Sequence, residues 1–360
     1  MILPRYIGMK TWLASLAAFS GVITIFMAVD IVENAGGFAG PGWFLAALEL
    51  YANKAAVVAH LVAPAALLLG ATIAVSGLRQ TREWVAMRSV GLGPWRMAGP
   101  VLAAVGLASL GSVLFHEVWG VKAAQRAEEI QVTRFARGGA YRRWQATQQP
   151  KRWFRGADGR HVYHLRGVLP GGGFERVTVL ELSDEFQLTR RIDAGKMEPA
   201  EGGAWRLADV EERTFSSRGG TFAKAESRLV RFEEPPGSFD LRPGRPSQMS
   251  LPVLGEQIAL RRRLGQPFAD FALERANRVA YPFAAVSGAL LAVGLALRRN
   301  RRGHLATALL EAVGISLALW AAQAVCLGLG LSGRLPSMLA AWLPNAIFLA
   351  AGALAVRRTS

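Results

Sequence analysis

Cysteine is nearly missing: the 360 residues hold one, Cys326, so no disulfide can form within the chain and any part outside a reducing compartment is held by packing. Acidic residues are scarce as well, 26 against 42 Lys and Arg, leaving a net charge of +16. The phosphate-cradling GxxxxGK[ST] pattern is lacking, which excludes that route to ATP binding. Histidines number five and do not cluster at metal-ligand spacing; His161 and His164, three apart on a predicted strand, point to opposite faces. Charge is almost missing from six stretches.

Those stretches are long and apolar: Trp12–Val32, Ala55–Leu78, Met97–Trp119, Val279–Leu297, Leu305–Leu331 and Leu335–Val356. About 20 apolar helical residues cross the hydrocarbon core of a bilayer, and each stretch meets or nearly meets that length. They fall into two sets of three, separated by a polar block of roughly 150 residues, too long for a connecting loop. The layout predicts an integral membrane protein with one inserted water-exposed domain. The first stretch exceeds a signal-peptide core, and no small-residue cleavage pattern follows it closely, so it reads as a retained helix.

Of the 26 acidic residues, 19 lie between 120 and 270, with 26 of the 42 Lys and Arg. The remaining basic residues sit in short loops, where they report topology rather than nucleic-acid binding. Arg5, Lys10, Arg79, Arg82, Arg88, Arg96, Arg298, Arg299, Arg301, Arg302, Arg357 and Arg358 flank one side; Lys54 and Arg334 flank the other. Cytoplasmic loops carry the excess, so both termini are expected in the cytoplasm and the block on the opposite side.

Residues 78–96, LRQTREWVAMRSVGLGPWR, predict a short amphipathic helix over 79–90, stopped by Gly91, Gly93 and Pro94. Periodicity leaves two readings open: an anchor in lipid headgroups or a docking element for a cytoplasmic partner. Span three is predicted to extend as an exposed helix to about Phe135. The runs HVYHLRGVL, RVTVLELS, WRLADVEERTF and FAKAESRLVRF then alternate between glycine-rich turns, predicting an antiparallel sandwich or jelly roll. Pro235, Pro236, Pro243 and Pro246 form a connector to a helix near Val253–Leu264. The domains expected are 1–135, 136–250 and 251–360.

Gly328, Gly330 and Gly333 spell GxGxxG but close an apolar span, so the dinucleotide reading fails. Polar groups inside or at the ends of spans are better candidates, because lipid burial is costly: Asp30, His116, Glu117, Glu311 and Gln323. Glu311 is placed to pair with Arg301 or Arg302. A lipid hydrolase using His116 and Glu117 lacks an accompanying Ser or Cys nucleophile arrangement. A membrane-anchored binding or scaffold protein remains the other alternative to a transporter. No cofactor and no metal is called for.

Several segments carry a resemblance that covers the whole chain: RYIG at Arg5–Gly8, VDIVENAG at Val29–Gly36, TREWVAMRSVG at Thr81–Gly91, MSLPVLGEQIALRRRLG at Met249–Gly265 and LPNAIF at Leu343–Phe348. In this order and topology the chain resembles the LptF/LptG permease family of lipopolysaccharide export, with VDIVENAG and LPNAIF closer to the LptG branch. The resemblance implies six transmembrane helices with a periplasmic β-jelly roll between the third and fourth. It implies a permease subunit in the bacterial inner membrane, not an enzyme, that extracts lipopolysaccharide. The implied partners are a paralogous LptF-like subunit, a dimeric cytoplasmic LptB-like ATPase and an LptC-like single-span periplasmic jelly-roll protein.

The resemblance favours the docking reading for residues 79–90. Glu83 matches the family's acidic residue, and Arg79, Arg82, Trp84 and Met87 are the other coupling candidates. Where LptG-type chains often carry lysine near the end of span one, this chain has Met27, Glu33 and Asn34. Lys54, Lys122 and Arg126 are the nearby basic alternatives for lipid phosphates, on geometric grounds.

Overall fold

A computed structural model describes residues 2–38, 42–135, 153–156, 158–169, 172–216, 219–234, 236, 238–239, 245–298 and 305–358. In chain order its helices are α1 (Ile2–Asn34), α2 (Trp43–Gln80), α3 (Glu83–Ser89), α4 (Pro94–Phe115), α5 (Val121–Arg134), α6 (Leu251–Arg263), α7 (Ala269–Ala280), α8 (Ala284–Arg298), α9 (Leu305–Leu331) and α10 (Ser337–Arg357). Its strands are β1 (Trp153–Arg155), β2 (His161–Leu169), β3 (Gly173–Leu182), β4 (Leu188–Pro199), β5 (Trp205–Ser216) and β6 (Gly219–Val230). The chain divides into a helical unit, drawn from 1–141, 247–251 and 272–360, and a β unit, drawn from 142–246 and 252–271.

In the helical unit α1, α2, α9, α10 and the continuous helix from Pro94 to Arg134 are each long and apolar enough to cross a membrane. A bent pair, α7 and α8, meeting at 43°, makes a sixth candidate span when its two helices are taken together. The break falls at Pro282, which lacks an N–H and crowds the preceding turn. Carbonyls freed by a break inside lipid need new donors. Asn345 Nδ2 donates to the Ala280 carbonyl at 2.7 Å, and Ser109 Oγ to that of Pro282 at 2.9 Å. A second irregularity is the π-helical turn His116–Gly120, which joins α4 to α5.

Ile7, Leu68, Val75, Leu78, Met97, Val101, Ala289 and Val293 form the centre of the helical core. Close approach of backbones supplies the packing that apolar surface alone does not drive in lipid. At Gly70 of α2 a Cβ would stand 2.2 Å from Ser15 Cα of α1. At Gly352 of α10 it would stand 2.7 Å from the Leu291 nitrogen of α8. Outward faces stay apolar, with Leu13, Leu16 and Ile25 on α1 and Leu310, Leu317 and Trp320 on α9 all exposed. The chain is therefore a helical membrane protein with an inserted β domain.

The β unit is one antiparallel meander in the order β1 to β6. Its core is the face carrying Phe154, Tyr163, Val179, Ile192, Trp205 and Leu207, covered by Phe232, Phe239 and Leu264. Tyr163 donates to the Glu234 carboxylate, and Trp205 Nε1 donates to the Glu234 carbonyl at 2.7 Å, so the polar ends of both rings are satisfied. A second stacked sheet and a jelly-roll crossover do not occur among the described residues. Strand β4 was not expected: LTRRIDAGKMEP breaks the alternation with charges and a glycine, yet it sits at the sheet's centre.

Candidate functional site

Polar side chains in the helical unit gather in three places. The first is the turn between α2 and α4. The helix expected over 79–90 divides here: α2 continues through Gln80, and α3 starts at Glu83 after Arg82, whose φ of 59° is left-handed. Arg79 therefore ends α2 and is half-buried, whereas Arg82 is exposed at the junction. Trp84 and Met87 point inward and join the helical core.

Glu83 lies between these two faces. Lys10 Nζ donates to its carboxylate at 3.0 Å and 3.2 Å, Tyr6 at 2.9 Å and Thr81 at 2.9 Å. The Lys10 hydrogen bonds hold the Glu83 carboxyl below its ordinary value of 4.5 against the opposing effect of burial, with help from Thr81 and Tyr6. Glu83 thus ties α3 to the first turns of α1.

The second place holds the basic residues suggested for lipid phosphates. Lys54 donates to Asp30 at 2.6 Å, and both are largely buried. Arg126 pairs with Glu49 at 2.7 Å and Glu129 at 2.9 Å in an exposed setting. These pairs join α1 to α2 and α2 to α5. Lys122 is exposed and makes no ion pair among the described residues. Two of the three cations are thus already matched by carboxylates of the same chain, and Lys122 remains available.

The third place was partly missed by sequence reasoning. Arg278, with a buried side chain, pairs with Glu117 at 3.0 Å and Glu274 at 2.7 Å, and donates to the Met249 carbonyl. Glu117 also accepts from the Leu251 N–H at 2.9 Å. His116 turns the other way and stacks on His60, ring centroids 4.2 Å apart. His60 Nδ1 lies 3.3 Å from Ser112 Oγ. Adjacent in sequence, His116 and Glu117 serve separate clusters, and among the described residues no carboxylate hydrogen-bonds His60 or His116.

Gln323 donates to Asn277 at 3.3 Å beside the broken span. The suggested pairing of Glu311 involves Arg301 and Arg302, which lie outside the described residues. Cys326 is buried in α9. An apolar cavity of about 320 Å³ opens among α1, α2 and α4, walled by Trp12, Leu16, Phe19, Ala63, Leu67 and Phe115.

A bundle of candidate spans with buried polar clusters and an inserted β domain defines a multi-pass helical membrane protein. The chain belongs to the lipopolysaccharide export system permease LptF/LptG family, whose model matches residues 5–358, essentially its whole length. Comparison with individually curated proteins returns no match. The family consists of permease components rather than enzymes, which makes this chain a multi-pass inner-membrane component of lipopolysaccharide export.

Proposed function

We propose that this chain is one half of a permease that extracts lipopolysaccharide from the inner membrane and hands it to a periplasmic β bridge, driven by ATP hydrolysis on a separate dimeric cytoplasmic subunit. The observation that carries the reading is the family match across both helical segments and the inserted sheet. The count of basic residues supports an arrangement with both termini and α3 in the cytoplasm and the β unit in the periplasm. The apolar outward faces of α1 and α9 suit contact with a paralogous subunit enclosing a cavity for acyl chains. VDIVENAG and LPNAIF favour the LptG role in that pair.

The ATPase contact falls on the turn from α2 into α3, where Arg79, Arg82 and Glu83 offer polar groups while Trp84 and Met87 fix α3 from within. Lys54, Lys122 and Arg126 line the lipid's entry, with Lys122 the one free to meet a phosphate. In the β unit, β6 is a twelve-residue edge strand exposed along nearly its whole length. Unpaired edge groups recruit another strand, which fits a single-span periplasmic jelly-roll partner.

Purification of the complete complex carrying Glu83→Lys tests the coupling. Lipid-stimulated ATP hydrolysis and lipid release are expected to disappear while the helical fold survives. Wild-type transport by that variant would remove α3 from the coupling path.

A further inference from the structure

The β unit carries a pocket on the face of the sheet opposite its core, and its chemistry is unlike the rest of that face. Trp153 of β1 pairs with His164 of β2, and their rings stack with centroids 4.0 Å apart and planes within 9°. The ladder between β2 and β3 runs through Leu165 with Val177 and Gly167 with Glu175, which leaves Arg166 facing Arg176. Trp153, His164, Arg166 and Arg176 line a pocket of about 420 Å³. Among the described residues β1 pairs with β2 as far as His164.

Several arginines of the sheet are neutralised by neighbouring carboxylates, whereas Arg155 and Arg206 have no ion pair among the described residues. Arg190 and Arg228 meet Glu212, Arg191 meets Asp193 and Arg213 approaches Glu211. Arg166 and Arg176 make no ion pair among the described residues. Like charges opposite each other on neighbouring strands destabilise a sheet. Arg176 adds a φ of 50°, a left-handed backbone uncommon outside glycine and often found at functional positions. Gly195, next in the row on β4, is covered by the side chain of Asp209 on β5, whose Oδ2 would stand 3.1 Å from a Cβ there, and Asp209 makes no ion pair among the described residues. The arrangement works against folding stability, and an anion between the guanidinium groups reverses that sign.

We infer that this pocket binds an anionic sugar, with a phosphate held by Arg166 and Arg176 and the sugar ring laid against Trp153. Paired guanidinium groups match phosphate oxygens through short charge-assisted hydrogen bonds. A pocket of this volume lies in the range of small-molecule sites, larger than a bare phosphate requires. Trp153 remains 52% exposed despite its stack on His164, which leaves aromatic surface for the ring's apolar face. The anion half rests on geometry alone, whereas the sugar half rests on the export reading above.

Calorimetric titration of the full-length protein in detergent with glucose 1-phosphate, inorganic phosphate, glucose and AMP tests the assignment. Saturable binding of glucose 1-phosphate is expected, about tenfold or more tighter than either half. Arg166→Gln with Arg176→Gln is expected to weaken it by about tenfold or more, and Trp153→Ala to bring it down to the phosphate level. The double variant is expected to unfold no earlier than the wild type, since it relieves repulsion. No binding by the wild type, binding untouched by the double variant, or tighter binding of AMP overturns the proposal. A photocrosslinker replacing Thr178, which pairs with His164, identifies the source in cells. Capture of lipopolysaccharide assigns a lipid headgroup, and binding without capture assigns a free sugar phosphate. Lipid transport that persists without any sugar-phosphate binding would reject the pocket and leave the export reading standing.

Discussion

Removing the Arg278 guanidinium strands two carboxylates, Glu117 and Glu274, and the Met249 carbonyl among packed helices. Breaking a buried ion pair from one side typically costs about 3–5 kcal/mol, because the remaining charge has no partner. Arg278→Ala is therefore expected to destabilise the helical unit by about that amount, and Arg278→Met with Glu117→Gln and Glu274→Gln to recover most of it. Unfolding in detergent measures both. Glu83 behaves differently because it is one-third exposed and its pairing is screened. A carboxyl held below its ordinary value stabilises the fold above that value, and the benefit is lost as pH falls through the lowered one. The stability gap between wild type and Glu83→Gln is thus expected at neutral pH, to shrink below about 4.5 and to close as pH falls through the lowered value. A gap that does not shrink at all on acidification below 4.5 would show that Glu83 acts through packing.

At the scale of elements, the broken span depends on donors from other helices. Asn345→Ala leaves the Ala280 carbonyl unpaired in a buried setting, at an expected cost of about 1–3 kcal/mol. Hydrogen exchange is expected to rise locally in α7 and α8, and unchanged protection there would mean water replaces the donor. The six spans were legible because charge is so sparse in them. The break was not, because the run starting at Val279 excludes Arg278, and nothing local says that Pro282 divides a span whose first half is α7. His60 escaped notice for a similar reason: a single histidine in an apolar run acquires meaning only when His116 is brought onto it by the fold. The inward turn of Trp84 and Met87 was likewise a tertiary choice. Arg166 and Arg176 each read as ordinary polar positions in alternating strands, and only the register of β2 with β3 sets them opposite.

For the whole molecule, division into a helical unit and a β unit predicts that the two can be lost separately. Deleting residues 140–245 is expected to stop lipid delivery to a periplasmic partner while the cytoplasmic ATPase still binds, measured by co-purification and by lipid transfer in one preparation. Transfer that survives the deletion would reduce the sheet to a spacer. The helix from Pro94 to Arg134 has a mechanical consequence. At ~1.5 Å per residue its 41 residues reach about 60 Å, twice the ~30 Å hydrocarbon core. One end begins five residues after α3, and about half of that length is enough to cross the core. A small tilt at the α3 end would carry the far end of this helix through a larger arc, with the π-helical turn at His116–Gly120 lying between them and Glu117 tied there to Arg278.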